Sequence, residues 1–338
     1  MYQISLITGD GIGPELSESV IKVLEIINDK LDLKLKVEKL EAGDSTLAKT
    51  GKALPESTLE AIKRSSACLK APVGESAADV IVVLRRMLNL YANIRPAKSY
   101  PNMPALKDNI DLVIVRENTE DLYTGMEFEV GNSAVALRTI SEYASKRIAK
   151  YAFLTANQRN QKRKVTCVHK SNVMRKTDGL FVKACGEVAK EFPNIKFEQM
   201  YVDACAMNLI REPESFDVIV TTNLFGDILS DESAQVVGGL GMAPAANIGE
   251  NFALFEPVHG AAFDIAGKQA ANPSSFILSA KMMFEWLGMK NGDQKCFSVA
   301  KKLESAVYGV VKDGIKTKDI GGNKTTMEFT QHVISKLA

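Results

Sequence analysis

The sequence has little of what marks an extracellular, membrane-bound or nucleic-acid-binding protein. Its five cysteines are odd in number, lie far apart and include no CxxC pair, so neither a disulfide framework nor a thiolate zinc site is supported. No apolar run reaches the roughly 18 residues of a membrane helix, and the N-terminus has no basic region followed by an apolar leader. The 42 Lys and Arg nearly balance the 41 Asp and Glu, which provides no global field for nucleic acid or anionic membrane. We expect an untargeted cytoplasmic protein whose anion binding is local.

Length and pattern predict a two-domain α/β protein. The chain has 338 residues, 46% of them hydrophobic and 25% charged, which is enough for two globular domains. Short β-branched runs alternate with longer helical patterns: ISLI, DLVIVR, VTCVHK and DVIVTTN. Such alternation is typical of a mostly parallel sheet. Turn-forming residues cluster at 99–104 and 238–244, which we interpret as the crossings between domains.

A glycine cluster, GDGIGPE at 9–15, follows the first predicted strand. Pro14 suits the first position of a helix and Glu15 suits its positive end. The cluster resembles part of a dinucleotide fingerprint, but it lacks the full GxGxxG and no acid obviously closes the following strand. A sheet-to-helix turn without a Rossmann site is the alternative.

Three arginines are candidates for substrate recognition. Arg85 lies on a predicted helix, Arg95 on the extended segment after it, and Arg116 at a strand end. Each alone is more often a solvated surface charge. Together they favour a substrate with two or three carboxylates, because a guanidinium matches a carboxylate in a two-point fork that lysine cannot reproduce.

Two aspartates in NLFGDILSDE are candidates for a metal site. Asp227 and Asp231 are four residues apart, so on a helix their Cβ atoms lie about 6 Å apart on one face. A hard divalent cation such as Mg²⁺ or Mn²⁺ would relieve their repulsion. The alternative is an acidic first turn that answers the helix dipole.

Further candidates follow predicted strands, where open α/β sheets place their sites. Lys170 and Asp203 each end such a strand, and a lysine there serves as a base only if its pKa is lowered. Tyr123 is either a proton donor or a packing residue. The segment 255–268, followed by ANP, forms a Gly-rich loop whose N–H groups suit phosphates, although His259 alone is more often structural.

Together these segments resemble the β-decarboxylating dehydrogenases of the isocitrate/isopropylmalate dehydrogenase family. The matching motifs are GDGIGPE, LRR…LYANIRP, VRENTEDLY, HKSNVM, NLFGDILSDE, ANIG and EPVHGAAFDIAGK…ANP, in the family's order across essentially the whole chain. Such a number of co-linear motifs leaves little room for chance.

The resemblance implies a role for each candidate. Implied substrate contacts are Ile81, Val82, Arg85, Arg95, Arg116, Tyr123, Lys170 and Asn172. Implied catalytic residues are Tyr123, Lys170 and Asp203, and implied ligands of Mg²⁺ or Mn²⁺ are Asp203, Asp227 and Asp231. Implied NAD contacts are Glu256, His259, Gly260, Ala261, Asp264, Ile265 and Asn272.

The resemblance also implies an α/β fold of two domains with mostly parallel sheets that is not the Rossmann fold. Residues 1–98 plus 243–338 would form the cofactor-side domain, and 99–242 the central domain with the dimer interface. Lys170 and Asp203 would come from a second subunit, so the expected assembly is a homodimer with shared sites, or a tetramer of such dimers.

Substrate and cofactor choice follow from residues within these motifs. Val82, Ile81 and Ala78 precede Arg85 on its helix face, and two branched apolar residues favour an isopropyl group over a third carboxylate. We expect NAD-dependent oxidative decarboxylation of 3-isopropylmalate, as in leucine biosynthesis. Asp264 would accept from a ribose diol and repel a 2′-phosphate, whereas NADP-dependent members typically have Lys-Tyr there.

Other interpretations stay open at this point. Homoisocitrate, isocitrate, D-malate and tartrate are substrates of the same family, and many isopropylmalate enzymes have a Glu where Ala78 stands, a place that Glu75 would have to fill. A regulatory isocitrate dehydrogenase subunit would tend to lose the lysine, tyrosine or aspartate roles, which are all present here. A plain nucleotide-binding module would leave the arginines and aspartates unexplained.

Overall fold

A computed structural model describes residues 1–337 and shows an α/β architecture. Twelve strands are formed within those residues. In chain order they are β1 (Tyr2–Ile7), β2 (Leu35–Leu40), β3 (Ala67–Lys70), β4 (Ala92–Lys98), β5 (Asp111–Glu117), β6 (Glu127–Val130), β7 (Ser133–Ala136), β8 (Lys164–His169), β9 (Lys196–Tyr201), β10 (Val218–Thr221), β11 (Pro244–Ile248) and β12 (Ala253–Pro257).

Eleven α-helices accompany the strands in the same described range. They are α1 (Gly13–Lys30), α2 (Asp44–Thr50), α3 (Glu56–Arg64), α4 (Ala77–Met87), α5 (Glu142–Arg159), α6 (Thr177–Ala189), α7 (Val202–Arg211), α8 (Asn223–Val236), α9 (Ser274–Asn291), α10 (Gln294–Lys312) and α11 (Thr326–Leu337). As predicted, Pro14 lies in the first turn of α1 and Glu15 beside it. Among the described residues, no helix combines the length and apolar character needed to cross a membrane.

Ten of the strands form one sheet in the order β2-β1-β3-β12-β11-β4-β5-β10-β8-β9. Strands at both ends of this order pair in parallel, as the alternating pattern predicted. The middle differs, because β11 runs antiparallel to both β12 and β4, and β4 runs antiparallel to β5. The fold is therefore mostly parallel, as expected, and its antiparallel middle departs from an all-parallel doubly wound sheet.

Helices cover both faces of the sheet. Successive residues of a strand point to opposite faces, so each face has its own apolar side chains for helices to cover. On β5, Val113 and Val115 join a large core with α1, α5, α9 and α10, whereas Leu112 and Ile114 pack with α7 and α8 on the opposite face. A third cluster beneath α3 and α4 includes Ile7 and Leu84. Buried apolar layers thus hold the polar residues at the strand ends in place.

The strand order separates the chain into two halves. Strands β2, β1, β3, β12, β11 and β4 come from residues before 99 or after 242, and β5, β10, β8 and β9 come from residues 99–242. The two halves meet where β4 pairs with β5. Ala338, the last residue of the predicted cofactor-side domain, lies outside the described residues. Strands β6 and β7 form a separate hairpin in which Phe128 and Val130 are exposed.

Candidate active site

The three predicted arginines converge where β4, β5 and the end of α4 meet. Arg95 and Arg116 lie on the paired strands β4 and β5, and Arg85 lies in the last turn of α4. All three side chains are buried, and that of Arg116 is only 1% exposed. These arginines are therefore built into the interior, which rules out the interpretation as solvated surface charges.

Helix α8 presents its two aspartates to these arginines. Arg116 Nη1 forms a very short ion pair with Asp227, and Arg95 bridges both carboxylates, with N–O distances of 3.2 Å to Asp227 and 3.3 Å to Asp231. The shared partner confirms that the two aspartates lie on one helix face. Gly226 permits this contact, because a Cβ at that position would lie 2.5 Å from the Arg116 Cγ.

Tyr123 belongs to the same cluster. It lies in a 3₁₀ turn, Asp121–Thr124, and its hydroxyl donates a short hydrogen bond to Asp227. The Arg116 guanidinium carbon lies 4.9 Å from the centre of its ring. Burial, with a further contribution from Asp227, raises the pKa of Tyr123 against the opposing effect of Arg116. A tyrosine phenol carries its proton at neutral pH, as a proton donor requires.

The charges in the cleft perturb each other strongly. Burial and the neighbouring Arg116 lower the pKa of Arg85, and the same causes lower that of Arg95 to about 10. Burial acts to raise the pKa of Asp227, but Arg116 and Arg95 outweigh it and lower that pKa. Burial and Asp227 raise the pKa of Asp231. Perturbations of several neighbouring groups are typical of functional sites.

Lys170 and Asp203 form a second cluster. Lys170 follows β8 and makes a short ion pair with Asp203, whose pKa that bond lowers. The prediction that Asp203 ends a strand was wrong by two residues: β9 ends at Tyr201 and Asp203 lies in the first turn of α7. Asn172, also predicted to bind substrate, is exposed beside Lys170.

The two clusters do not meet within one chain. Asp203 pairs with Lys170, whereas Asp227 and Asp231 pair with arginines. Across residues 1–337, no three His, Cys, Asp or Glu side chains come together in an arrangement that would hold a metal ion. The predicted set of three aspartates is therefore not assembled by a single copy of the chain.

The predicted cofactor loop follows β12 and lies against the N-terminal glycine cluster. The Ile12 N–H donates to the Ala261 carbonyl at 2.8 Å. Gly11 has φ +56, and a Cβ there would lie 2.1 Å from that carbonyl oxygen, so only glycine fits. The GDGIG segment is thus a close-packed turn beside this loop.

Members of the loop differ in exposure. Gly260 and Asp264 are exposed and Ile265 is half-buried, while Ala261 and Asn272 are buried. His259 Nε2 lies 3.0 Å from the Ser275 Oγ, and burial lowers the pKa of His259. Asn272 donates to Asp319 at 3.0 Å. The loop therefore offers exposed backbone and one exposed carboxylate, held by buried polar residues at its ends.

Glu256 lies on β12, the strand before the predicted cofactor loop, and connects this strand to the arginine cluster. Its buried carboxylate accepts from Lys70 at 2.7 Å and lies 3.4 Å from Arg85 Nη2. Burial acts to raise the pKa of Glu256, but Lys70 and Arg85 together lower it to about 2. Sequence reasoning missed Lys70, because a single lysine at a strand end carries no signal about its partner 186 residues away.

Two further polar residues support the arginines and were also missed. The Arg116 Nε donates to Asn223 at 3.0 Å, and the Arg95 Nη1 donates to the Ser230 hydroxyl at 2.7 Å. Both residues lie in NLFGDILSDE, which the family motif marks without assigning them roles.

The N-terminal part of α4 lies beside this cleft. Val82 and Ile81 are half-buried and Ala78 is exposed, while Ile81 packs partly against the core beneath the helix. The Asp44 carboxylate accepts from the backbone N–H groups of Glu75 and Ser76, at 2.9 and 2.8 Å, and so holds the start of the helix. Glu75 itself is exposed.

Fold and site together define an α/β protein with a cleft in which buried arginines face a pair of helical aspartates. The chain belongs to the isocitrate/isopropylmalate dehydrogenase family, which matches residues 3–333.

Individual relatives agree with this assignment over their full lengths. The 3-isopropylmalate dehydrogenase of Archaeoglobus fulgidus is 52% identical over 337 residues and covers 100% of both chains. That of Sulfurisphaera tokodaii is 50% identical over 338 residues and covers 99% of both. The crystal structure of isocitrate dehydrogenase from Methylococcus capsulatus is similar with a TM-score of 0.93 at 40% identity, covering 100% of this chain and 99% of that one.

Proposed function

We propose that the chain catalyses the NAD-dependent oxidative decarboxylation of (2R,3S)-3-isopropylmalate to 4-methyl-2-oxopentanoate and CO₂, a step of leucine biosynthesis. The observation that carries the proposal is the convergence of Arg95, Arg116 and Tyr123 on Asp227, with the buried Arg85 in the same cleft. Relatives at 50–52% identity bear the name of this activity.

The arginines would bind the two carboxylates of the malate portion. Buried guanidinium groups have few water contacts to replace, so they gain strongly from a charged, forked ligand. In the described part of the chain, Nη2 of Arg116 is buried and has no hydrogen-bond partner. A buried donor without a partner is costly, and a substrate carboxylate is a ligand that would satisfy it.

The acidic side chains fit a hard divalent cation. Asp227 and Asp231 supply oxygen ligands from one helix face and remain partly exposed, with 37% and 56% of their side chains accessible. Mg²⁺ and Mn²⁺ take such ligands and keep further positions for water or substrate oxygens. Asp203 of a second copy would complete the set. The ion, when bound, supplies Lewis-acid polarisation of the substrate's 2-hydroxyl and of the later carbonyl.

Two side chains of this protein would move the protons. NAD⁺, when bound, would supply the acceptor for the hydride of the substrate's C2. Lys170 of the second copy would take the proton from the 2-hydroxyl. After CO₂ leaves, Tyr123 would protonate the substrate's C3 from its hydroxyl, which Asp227 holds within the arginine cluster. Each acid–base role is worth roughly 10² to 10⁴ in rate.

NAD would lie along the loop after β12. His259, Gly260 and Ala261 would face the phosphates, and Asp264 and Ile265 the adenosine ribose. Glu256 and Asn272 would support the two ends of this site. The exposed Asp264 carboxylate would accept from a ribose diol but repel the nearly doubly charged 2′-phosphate of NADP.

We also propose a homodimer with shared sites. Residues 1–98 plus 243–338 would form the cofactor-side domain and 99–242 the domain with the dimer interface. Large apolar side chains are exposed near both clusters, among them Met207 and Ile210 on α7 and Ile228 on α8. Exposed apolar patches typically mark interfaces, and a second copy there would bring Lys170 and Asp203 to the arginines.

All five cysteines are buried and unpaired, which suits the reducing cytoplasm.

The apolar end of the cleft favours an alkyl side chain on the substrate. Val82 and Ile81 offer no hydrogen-bond donor for a third carboxylate, and burying one unpaired would cost several kcal/mol. Steady-state kcat/KM with NAD and Mg²⁺ tests this for 3-isopropylmalate, homoisocitrate, isocitrate and D-malate. We expect the kcat/KM for 3-isopropylmalate to exceed the others by at least about tenfold. A ratio of that size corresponds to the loss of one contact worth ~1.4 kcal/mol. A kcat/KM for isocitrate equal to that for 3-isopropylmalate would refute the proposed substrate. Full turnover in the presence of EDTA would refute the proposed role of the metal.

Mixing two inactive variants tests the shared site. In a dimer of one Lys170→Met and one Tyr123→Phe chain, one site has both functional residues and the other has neither. After unfolding and refolding an equal mixture, statistical pairing would restore about a quarter of wild-type activity. Refolding each variant alone is the control. No recovery in the mixture, with dimers shown by sizing, would mean that Lys170 and Tyr123 act within one chain.

A further inference from the structure

A buried amide lies between the two halves of the proposed active site. Asn247 is in the middle of β11, opposite Asn93 on β4 and Leu254 on β12, and it is completely inaccessible to solvent. The backbone ladder of β11 with both neighbours does not depend on this side chain. A polar side chain buried in this way destabilises the fold unless its donors and acceptors form hydrogen bonds.

The amide oxygen accepts three hydrogen bonds. Donors are the Arg85 Nε at 2.9 Å, the Asn93 Nδ2 at 2.7 Å and the Asn118 Nδ2 at 3.0 Å. The amide nitrogen faces the other way and donates to the Glu256 carboxylate at 2.8 Å. Only one orientation of the amide works, because the flipped group would oppose donors to donors and an oxygen to a carboxylate.

These bonds reach two of the three arginines proposed to bind the substrate, Arg85 and Arg95. Asn247 holds the Nε edge of Arg85 directly. Asn93, itself held by Asn247, accepts from the Arg95 Nε at 2.7 Å. With the Nε edges occupied by amides, the terminal nitrogens are the part of each guanidinium left to meet carboxylates.

We infer that Asn247 is a positioning residue, which sets the orientation of Arg85 and, through Asn93, of Arg95 relative to Glu256 on the cofactor strand. Because it is completely buried, it acts through other side chains rather than by contact with a ligand. The inference rests on the proposed function, because it needs Arg85 and Arg95 to bind the hydroxy acid and the strand of Glu256 to lead to NAD. Coupling of the two ligand sites would then pass through a single amide.

Separate substitutions distinguish the contribution of the amide oxygen from that of the amide nitrogen. Asn247→Leu, similar in shape and without hydrogen bonds, should raise KM for both hydroxy acid and NAD and lower kcat/KM about tenfold or more, the range for hydrogen bonds to charged groups. Asn247→Asp keeps an oxygen for Arg85 but opposes Glu256 with a like charge, so it should raise KM mainly for NAD. Asn93→Leu should raise KM for the hydroxy acid alone.

A structural control removes a buried hydrogen bond elsewhere. Thr330 and Ser19 share a hydrogen bond of 2.7 Å between α11 and α1, so Thr330→Val should lower Tm and leave both KM values unchanged. Assays would use whichever hydroxy acid the wild type oxidises fastest, so failure with 3-isopropylmalate counts against the proposed function and not against Asn247. The inference is overturned if the Asn247 and Asn93 variants that fold behave like Thr330→Val, or if all of them raise both KM values equally.

Discussion

Replacing Lys70 by Met should destabilise the folded protein in a way that depends on pH. The Lys70–Glu256 pair is buried, with side-chain exposures of 6% and 9%. Lowering the pKa of Glu256 from 4.5 to about 2 corresponds to about 3 kcal/mol of stabilisation by Lys70, Arg85 and Asn247 together. Breaking a buried pair typically costs about 3–5 kcal/mol, since the remaining charge stays buried. At pH 7 we therefore expect Lys70→Met to lose about 3 kcal/mol of unfolding free energy.

The sign of the pH effect follows from linkage. A carboxylate whose pKa is lowered on folding contributes stability above the pKa of the unfolded chain, and loses that contribution as pH falls towards the folded value. The deficit of Lys70→Met should therefore be full at pH 7. It should shrink as pH falls from 4.5 towards 2, where Glu256 takes up a proton.

Urea unfolding at a series of pH values measures both quantities. Lys22→Met is the matched control, because Lys22 pairs with Glu18 on the exposed surface of α1 and should cost less than about 0.5 kcal/mol. Adding Glu256→Gln to Lys70→Met should restore part of the loss, since no uncompensated charge then remains. The buried pair would not stabilise the fold as argued if Lys70→Met lost less than about 1 kcal/mol of unfolding free energy at pH 7. The same conclusion would follow if the loss persisted unchanged well below pH 4.5.

Three variants, one of them a double substitution, probe the chemistry. Val82→Arg places a guanidinium where the cleft is apolar and should shift the ratio of kcat/KM from 3-isopropylmalate towards homoisocitrate; an unchanged ratio would show that Val82 does not face the substrate. Tyr123→Phe should lower kcat by roughly 10²–10⁴, and wild-type turnover would exclude Tyr123 as the acid. Asp264→Lys with Ile265→Tyr should raise kcat/KM with NADP relative to NAD, as measured by initial rates with each cofactor, and a preference that stays with NAD would count against this placement of the adenosine.

Local patterns were sufficient for several features of the site. Spacing four apart placed Asp227 and Asp231 on one face of a helix, and the structure shows both contacting Arg95. Alternating strands and helices predicted the mostly parallel sheet. Three arginines in different elements indicated a polycarboxylate ligand, and all three are buried in one cleft. Each of these inferences needs only the period of a helix or strand and the chemistry of a side chain.

Other features depend on long-range contacts that no local pattern encodes. Asn247 reaches Arg85 across 162 positions, and Lys70 reaches Glu256 across 186. The antiparallel middle of the sheet was not predicted either, because strand direction depends on which strands become neighbours rather than on the residues within each.

By itself, then, the sequence determined the fold class, the family motifs and the residue types available for catalysis, since periodicity and side-chain chemistry are local properties. Only the tertiary structure decided which charges are buried together and that a buried amide lies between the arginines and Glu256. The physical reason is that burial and pairing depend on how distant strands pack, and packing converts separate polar residues into one electrostatic unit.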